Sequence, residues 1–242
     1  MSWLHETLVG FDLETTGTDT AESRIVTAAL VEAKRGEVVR ERDWLADPGV
    51  PIPAEATAIH GIGTERAAAE GRPAAEVADE VAEALCGYWR AGIQVVVFNA
   101  SFDLSLLSAE LRRYRLPSLD QRLGGAPIGP VLDPLTVDRA VDKYRKGSRT
   151  LQSACAVYGV ELADAHRAGS DALAALRVGL ALGRKFSAEV GGVDPAELHR
   201  RQVGWYADWA GGLQEWLRRG KEPEAVVDGG WPLRTTADAT AG

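Results

Sequence analysis

Five residues between positions 12 and 171 have types and spacings that could do chemistry together: Asp12, Glu14, Asp103, His166 and Asp171. The first two lie in GFDLETTG, residues 10–17, at the end of the apolar run TLVGF, which reads as a buried strand. Strand side chains alternate between faces, so Asp12 and Glu14 point the same way and Leu13 the other. Two carboxylates side by side repel each other and resist desolvation near a core, an arrangement that calls for a cation. FNASFDLSLL places Asp103 in the first turn of a helix that follows the VVVF strand, and AHRAGSDALAALRVGLAL places His166 just before a helix and Asp171 near its first turn. Each acid therefore sits at a strand end or a helix beginning, the edge where open α/β sheets form their ligand crevices. Four oxygen-only side chains in one crevice suit hard divalent ions, Mg²⁺ or Mn²⁺, rather than zinc or copper. Two such ions can activate water and stabilise a leaving oxygen in phosphoryl displacement, and a neighbouring histidine can take the proton. Taken singly, Asp103 and Asp171 also fit as favourable charges at helix dipoles, and His166 as a surface residue.

The elements that must position these groups follow a consistent pattern. A strand over residues 7–14 is followed by the β-rich runs ESRIVTAALVEA and GEVVRERDWLA around a turn at Lys34-Arg35-Gly36, a three-strand meander. Residues 47–63 are rich in Pro and Gly and read as a loop with a short helical turn. Val77, Val81, Leu85 and Tyr88 mark an apolar stripe on a helix from Pro73 to Arg90. IQVVVFN reads as a strand buried on both faces, SFDLSLLSAELRRYRL as a helix, Val131-Leu132 as a short strand, and residues 134–146, 150–158 and 169–186 as helices. The fold class is α/β, a mixed sheet covered by helices over residues 1–186. Residues 187–242 form a helical extension, its long helix beginning at Asp194-Pro195 and carrying Trp205, Trp209 and Trp216, with a frayed tail RTTADATAG. The tryptophans are expected to bury that helix against the rest, with a partner surface as the other reading.

With 45% hydrophobic and 26% charged residues in 242, the composition is that of a globular protein. The start lacks the basic and apolar regions of a signal peptide, no apolar run is long enough for a membrane span, and Cys86 and Cys155 lack metal spacing; the expectation is a cytoplasmic protein with reduced cysteines. A net charge of −8 argues against a general nucleic-acid coat and leaves room for an enzyme that grips a few nucleotides. A basic stretch before the third acidic segment, Arg139, Lys143, Arg145, Lys146 and Arg149, offers phosphate contacts or a solvated helix face.

The ordered set D-x-E-T-T-G (12–17), N-A-x-F-D (99–103) and H-x-x-x-x-D (166–171) resembles the three motifs of the DnaQ-like DEDDh 3′→5′ exonucleases, over residues 6–186. AIHGI (58–62) and RTLQSACAVYGVEL (149–162) resemble further segments of that group. The resemblance implies a ribonuclease H-like fold with a mixed five-stranded sheet, metal ligation by Asp12, Glu14, Asp103 and Asp171, and His166 as general base. It implies that Thr15, Thr16 and Gly17 lie against the terminal nucleotide, that His60 and Phe102 pack on the last bases, and that Asn99 belongs to the substrate site. The implied reaction removes nucleoside 5′-monophosphates from a 3′ end of nucleic acid, DNA before RNA. Phe98 departs from the histidine that many members carry before the asparagine, and no convincing clamp or polymerase peptide is present, Leu213-Gln-Glu-Trp-Leu being the nearest. A module that has lost turnover is the reading from another class; all five site residues are retained against it.

Overall fold

The structure is a computed structural model that describes residues 2–162, 166–220 and 222–235. Its centre is a mixed sheet in the order β4-β3-β2-β1-β5-β6. The meander comprises β1 (Thr7–Thr15), β2 (Ile25–Lys34) and β3 (Glu37–Asp47), all antiparallel neighbours. β5 (Gln94–Val96) pairs parallel with β1, and β6 (Val131–Leu132) parallel with β5. These are the five expected strands. A two-residue edge strand, β4 (Arg72–Pro73), adds a sixth beside β3.

The helices are α1 (Ala54–His60), α2 (Thr64–Glu70), α3 (Ala74–Arg90), α4 (Ala100–Arg113), α5 (Leu119–Arg122), α6 (Pro134–Val141), α7 (Leu151–Tyr158), α8 (Ala168–Lys185) and α9 (Pro195–Arg219). Residues 47–63 thus hold a full helix, α1, with α2 directly after it. The expected helix over 134–146 stops at Val141. Beyond it, Arg145 and Arg149 turn their guanidinium groups onto the carbonyls of Asp142, Lys143, Lys146 and Ser148, which holds the chain as a loop. No helix among the described residues is long and apolar enough to cross a membrane.

Two apolar clusters lie on opposite faces of the sheet, and β1 divides its residues between them. Val9, Phe11 and Leu13 enter the cluster built with Leu85, Leu104 and Leu107 of α3 and α4. Leu8 enters the other, with Leu132, Leu176 and Val178. The strand period therefore sends positions 8, 10, 12 and 14 towards α8. Gly10 is what allows α8 to come so near: a Cβ there would stand 2.3 Å from the Ala172 carbonyl oxygen. The next positions on that face are Asp12 and Glu14, opposite the first turn of α8.

The C-terminal part closes over the end of the sheet. Asp194 caps α9, with Pro195 at its first position. The helix docks through buried Leu198, Gln202, Tyr206 and Ala210. Gln202 donates from Nε2 to the Val131 carbonyl and accepts the Asp133 N–H at Oε1. Trp205 and Trp209 are half-buried against the two clusters, as expected, whereas Trp216 is 66% exposed. Trp231 is buried, and Arg234 beyond it donates its N–H to Ser105 Oγ. Of the tail expected to fray, residues 236–242 lie outside the described residues. Cys86 and Cys155 are free and buried.

Candidate active site

The acids converge at the carboxyl ends of the parallel neighbours β1 and β5. Single ligand oxygens of Asp12, Glu14 and Asp171 lie within 4.8 Å of one another. Asp103, in the first turn of α4, flanks this triad, and its Oδ1 accepts the Leu13 N–H at 3.0 Å. Asp12 feels every other member. Burial first, then the charges of Asp103, Glu14 and Asp171, hold its carboxyl well above the usual carboxylate range. Burial and Asp171 push Glu14 up to about 7. Burial also raises Asp103 and Asp171. Asp171 Oδ2 accepts the His166 N–H at 3.2 Å, whereas its Oδ1 is buried with no hydrogen-bond partner among the described residues. A bare carboxylate oxygen beside two further acids, with oxygen as the only donor type, fits a hard divalent cation.

The cluster lies between two hollows. One, of about 470 Å³, is walled by Asp12 and Asp103 together with Asn99, Phe102, Arg139 and Arg149. The other, of about 710 Å³, is walled by Glu14 and His166 with Asp43, Trp44 and Arg167. His166 adopts a left-handed backbone (φ 68°) and is exposed, on the Glu14 side of the cluster. The chain just before it, residues 163–165, lies outside the described residues.

Of the remaining expected residues, Asn99 and Phe102 line the first hollow, whereas Thr15, Thr16, Gly17 and His60 line neither. Thr15 Oγ1 donates to the Gly17 carbonyl at 2.7 Å, and Thr16 Oγ1 accepts the Arg24 N–H at 2.9 Å, so both hydroxyls shape the loop leaving β1. His60 ends α1; its Nδ1 accepts the Ile62 N–H at 3.2 Å, its Nε2 is buried without a hydrogen bond among the described residues, and burial lowers its basicity. That bond to Ile62 is the loop-capping role open to such a histidine. Asn99 has a left-handed backbone (φ 67°) at the start of α4. Phe102 packs on the core from the edge of the first hollow.

Of the basic stretch, Arg145 and Arg149 are committed to Asp138, a buried carboxylate that Tyr158 also contacts. Lys143 and Lys146 stay exposed, and Arg139 lies with its guanidinium carbon 3.7 Å above the Trp209 ring. One acid beside the cluster carries no motif of its own. Asp133, fully buried, accepts the N–H groups of Asn99, Ala100 and Leu135, the Thr136 hydroxyl and the Trp231 indole N–H. It therefore fixes the start of α4, which carries Asp103, to the start of α6 and to the C-terminal segment. The Asp-Pro pair at 133–134 marks it in the sequence only as a helix cap.

The exonuclease family RNase_T matches residues 9–178. The chain belongs to this exonuclease family. Similar to this chain are the PolC-type DNA polymerases III of Streptococcus thermophilus, 31% identical over 174 residues, and of Halalkalibacterium halodurans, 30% identical over 169. The matches cover 71% and 70% of this chain and 11% of each polymerase, so the chain spans about a tenth of the length of these relatives. Among solved structures, E. coli exonuclease I in complex with a dT13 oligonucleotide shares the fold at a TM-score of 0.63 and 20% identity, over 76% of this chain and 43% of that one. Exonuclease I from Methylocaldum szegediense does so at 0.62 and 20%, over 84% and 46%. The chain thus carries a DnaQ-like exonuclease domain with the ribonuclease H-like fold.

Proposed function

We propose that residues 1–186 form a catalytic unit that shortens single-stranded or frayed DNA from its 3′ end, releasing nucleoside 5′-monophosphates, with residues 187–242 as a helical extension packed on it. The observation that carries this reading is the convergence of Asp12, Glu14 and Asp171 within 4.8 Å, with one Asp171 oxygen bare. Asp12, Glu14, Asp103 and Asp171 would hold two divalent cations, Mg²⁺ or Mn²⁺. Bound there, such ions activate water and offset charge on the phosphate.

The chain's own groups supply the rest. His166 takes a proton from the attacking water at its imidazole. Its backbone bond to Asp171 ties the base to a cation ligand. The loop from Thr15 to Gly17 offers backbone groups to the terminal 3′-hydroxyl, while Phe102, Asn99 and His60 contact the last nucleotides. DNA as the substrate is supported by the DNA polymerases among the relatives and by the oligonucleotide in the similar exonuclease I structure. Free, buried Cys86 and Cys155 suit a reducing cytoplasm.

The test follows 5′-labelled single-stranded DNA, matched RNA and a 3′-mismatched duplex in Mg²⁺, Mn²⁺ or EDTA. The expected result is one-nucleotide shortening of the DNA, abolished by EDTA and reduced at least about a hundredfold in Asp12→Asn and His166→Ala. Faster loss of RNA would move the substrate to RNA. Absence of shortening for every substrate would sink the nuclease reading.

A further inference from the structure

The first hollow does not end at the acids. Arg139 and Arg149, which wall it, also wall a neighbouring groove of about 540 Å³ whose far side is Trp205, Asp208 and Trp209 of α9, with Lys143 at its rim. The groove therefore adjoins the hollow that holds Asp12 and Asp103, across Arg139 and Arg149. One of its walls lies beyond residue 178, where the family match ends.

Its chemistry is that of a single-strand track. Trp205 and Trp209 present indole surface, half-buried on α9. Arg139 is stacked on the Trp209 ring and forms no ion pair among the described residues. Lys143 is exposed beside it. Three cations thus face a single acid, Asp208. Arg149 is already satisfied by Asp138 and nearby carbonyls, which leaves Arg139 and Lys143 as the cations available to an anion. Aromatic faces interleaved with cations bind unpaired bases and their phosphates without regard to sequence.

We propose that the groove between α6 and α9 is a binding subsite for single-stranded nucleic acid, taking the nucleotides 5′ of the one being cleaved. Lys143 contacts a phosphate, and the Trp205 indole and the Arg139 guanidinium supported on the Trp209 ring carry bases. This rests on the reading of the acidic cluster as the 3′-end hydrolysis site. It gives the C-terminal extension a part in substrate length preference. A strand reaching only the first hollow loses these contacts, and a duplex has no free base faces to offer them.

The test measures binding of fluorescein-labelled dT12 and dT3 by anisotropy in EDTA, so that the probe stays intact, with wild type, Lys143→Ala and Trp209→Leu. The expected results are a dT12 affinity about tenfold lower in Trp209→Leu, the loss of roughly one stacked base. In Lys143→Ala the salt slope for dT12 should shrink by about 0.7, one phosphate contact on a single strand. The dT12-to-dT3 affinity ratio should fall in both. Lys143 is exposed, so its variant decides the matter even if Trp209→Leu loosens α9. If dT12 binds both variants as it binds wild type, with an unchanged salt slope, the groove is no subsite. Shortening assays separate the two ideas. Weakened dT12 binding in the variants of a protein that shortens nothing keeps the groove and removes the nuclease reading. Normal shortening with unaffected dT12 binding removes the groove alone.

Discussion

Replacing Gly10 by alanine tests how the site is assembled without touching any acid. A methyl group there would stand 2.3 Å from the Ala172 carbonyl oxygen and 2.8 Å from its carbon, and both are backbone atoms that cannot rotate away. Bringing that contact to even the 3.0 Å limit needs about 0.7 Å of separation between β1 and α8. Overpacking of this kind costs about 1–3 kcal/mol. In a protein of this size that lowers Tm by about 2–12 °C. The displacement acts one residue from Asp171, so it pulls that carboxylate away from Asp12 and Glu14, and a misplacement near 1 Å can cost about a hundredfold in rate. The assay is kcat on 5′-labelled single-stranded DNA, well below the melting temperature, beside the Tm gain on adding Mn²⁺. Both should fall together. A Gly10→Ala protein with wild-type kcat and a wild-type response to Mn²⁺ would refute the claim that the β1–α8 approach positions the third ligand.

Two further outcomes follow from the electrostatics. The carboxyls of Asp12, Glu14, Asp103 and Asp171 are all raised, Glu14 to about 7, so the metal-free folded protein keeps protons that the unfolded chain releases near pH 4. Their contribution to stability is complete below that pH and is lost as pH rises through about 7. Thermal melts in EDTA should therefore fall across this window, and the Tm gain from Mg²⁺ should be larger near pH 8 than near pH 5; an equal gain at both would contradict the raised carboxyls. Asp138→Ala leaves Arg145 and Arg149, whose side chains are 7% and 19% exposed, without their shared carboxylate. Urea unfolding should show a loss of about 3–5 kcal/mol, and a loss under 1 kcal/mol would mean that the loop over residues 142–150 holds without it.

Much of the site was legible because its parts are local. Asp12 and Glu14 end an apolar strand, where a period of two fixes their common face. Asp103 and Asp171 each sit one turn into a helix that the pattern also located. What stayed hidden depends on contacts between distant segments. Asp133 reads as a cap for α6, and nothing nearby in the chain shows that it also holds Asn99 and Trp231. Arg139 and Trp209 are seventy residues apart and meet only once α9 docks. His166 sits on a left-handed backbone, which few non-glycine residues adopt and which no hydrophobic pattern announces. The helix ending at Val141 was overrun because the arginines that stop it act through side chains on a buried acid, which no periodicity reports.

The acids come from three separate stretches of chain, and this bears on how the protein is made. β1 leaves the ribosome first, but its parallel partner begins at Gln94, its third acid is residue 103, and its fourth is residue 171. A nascent chain stalled before α8 carries at most three of the four carboxylates and lacks the helix that Gly10 is shaped to receive. Arg234, which bonds to Ser105 on α4, arrives later still. Pairings so distant in sequence form slowly and only after long loops close. Synthesis therefore orders the assembly of the site: an incomplete chain on the ribosome has no complete acidic cluster.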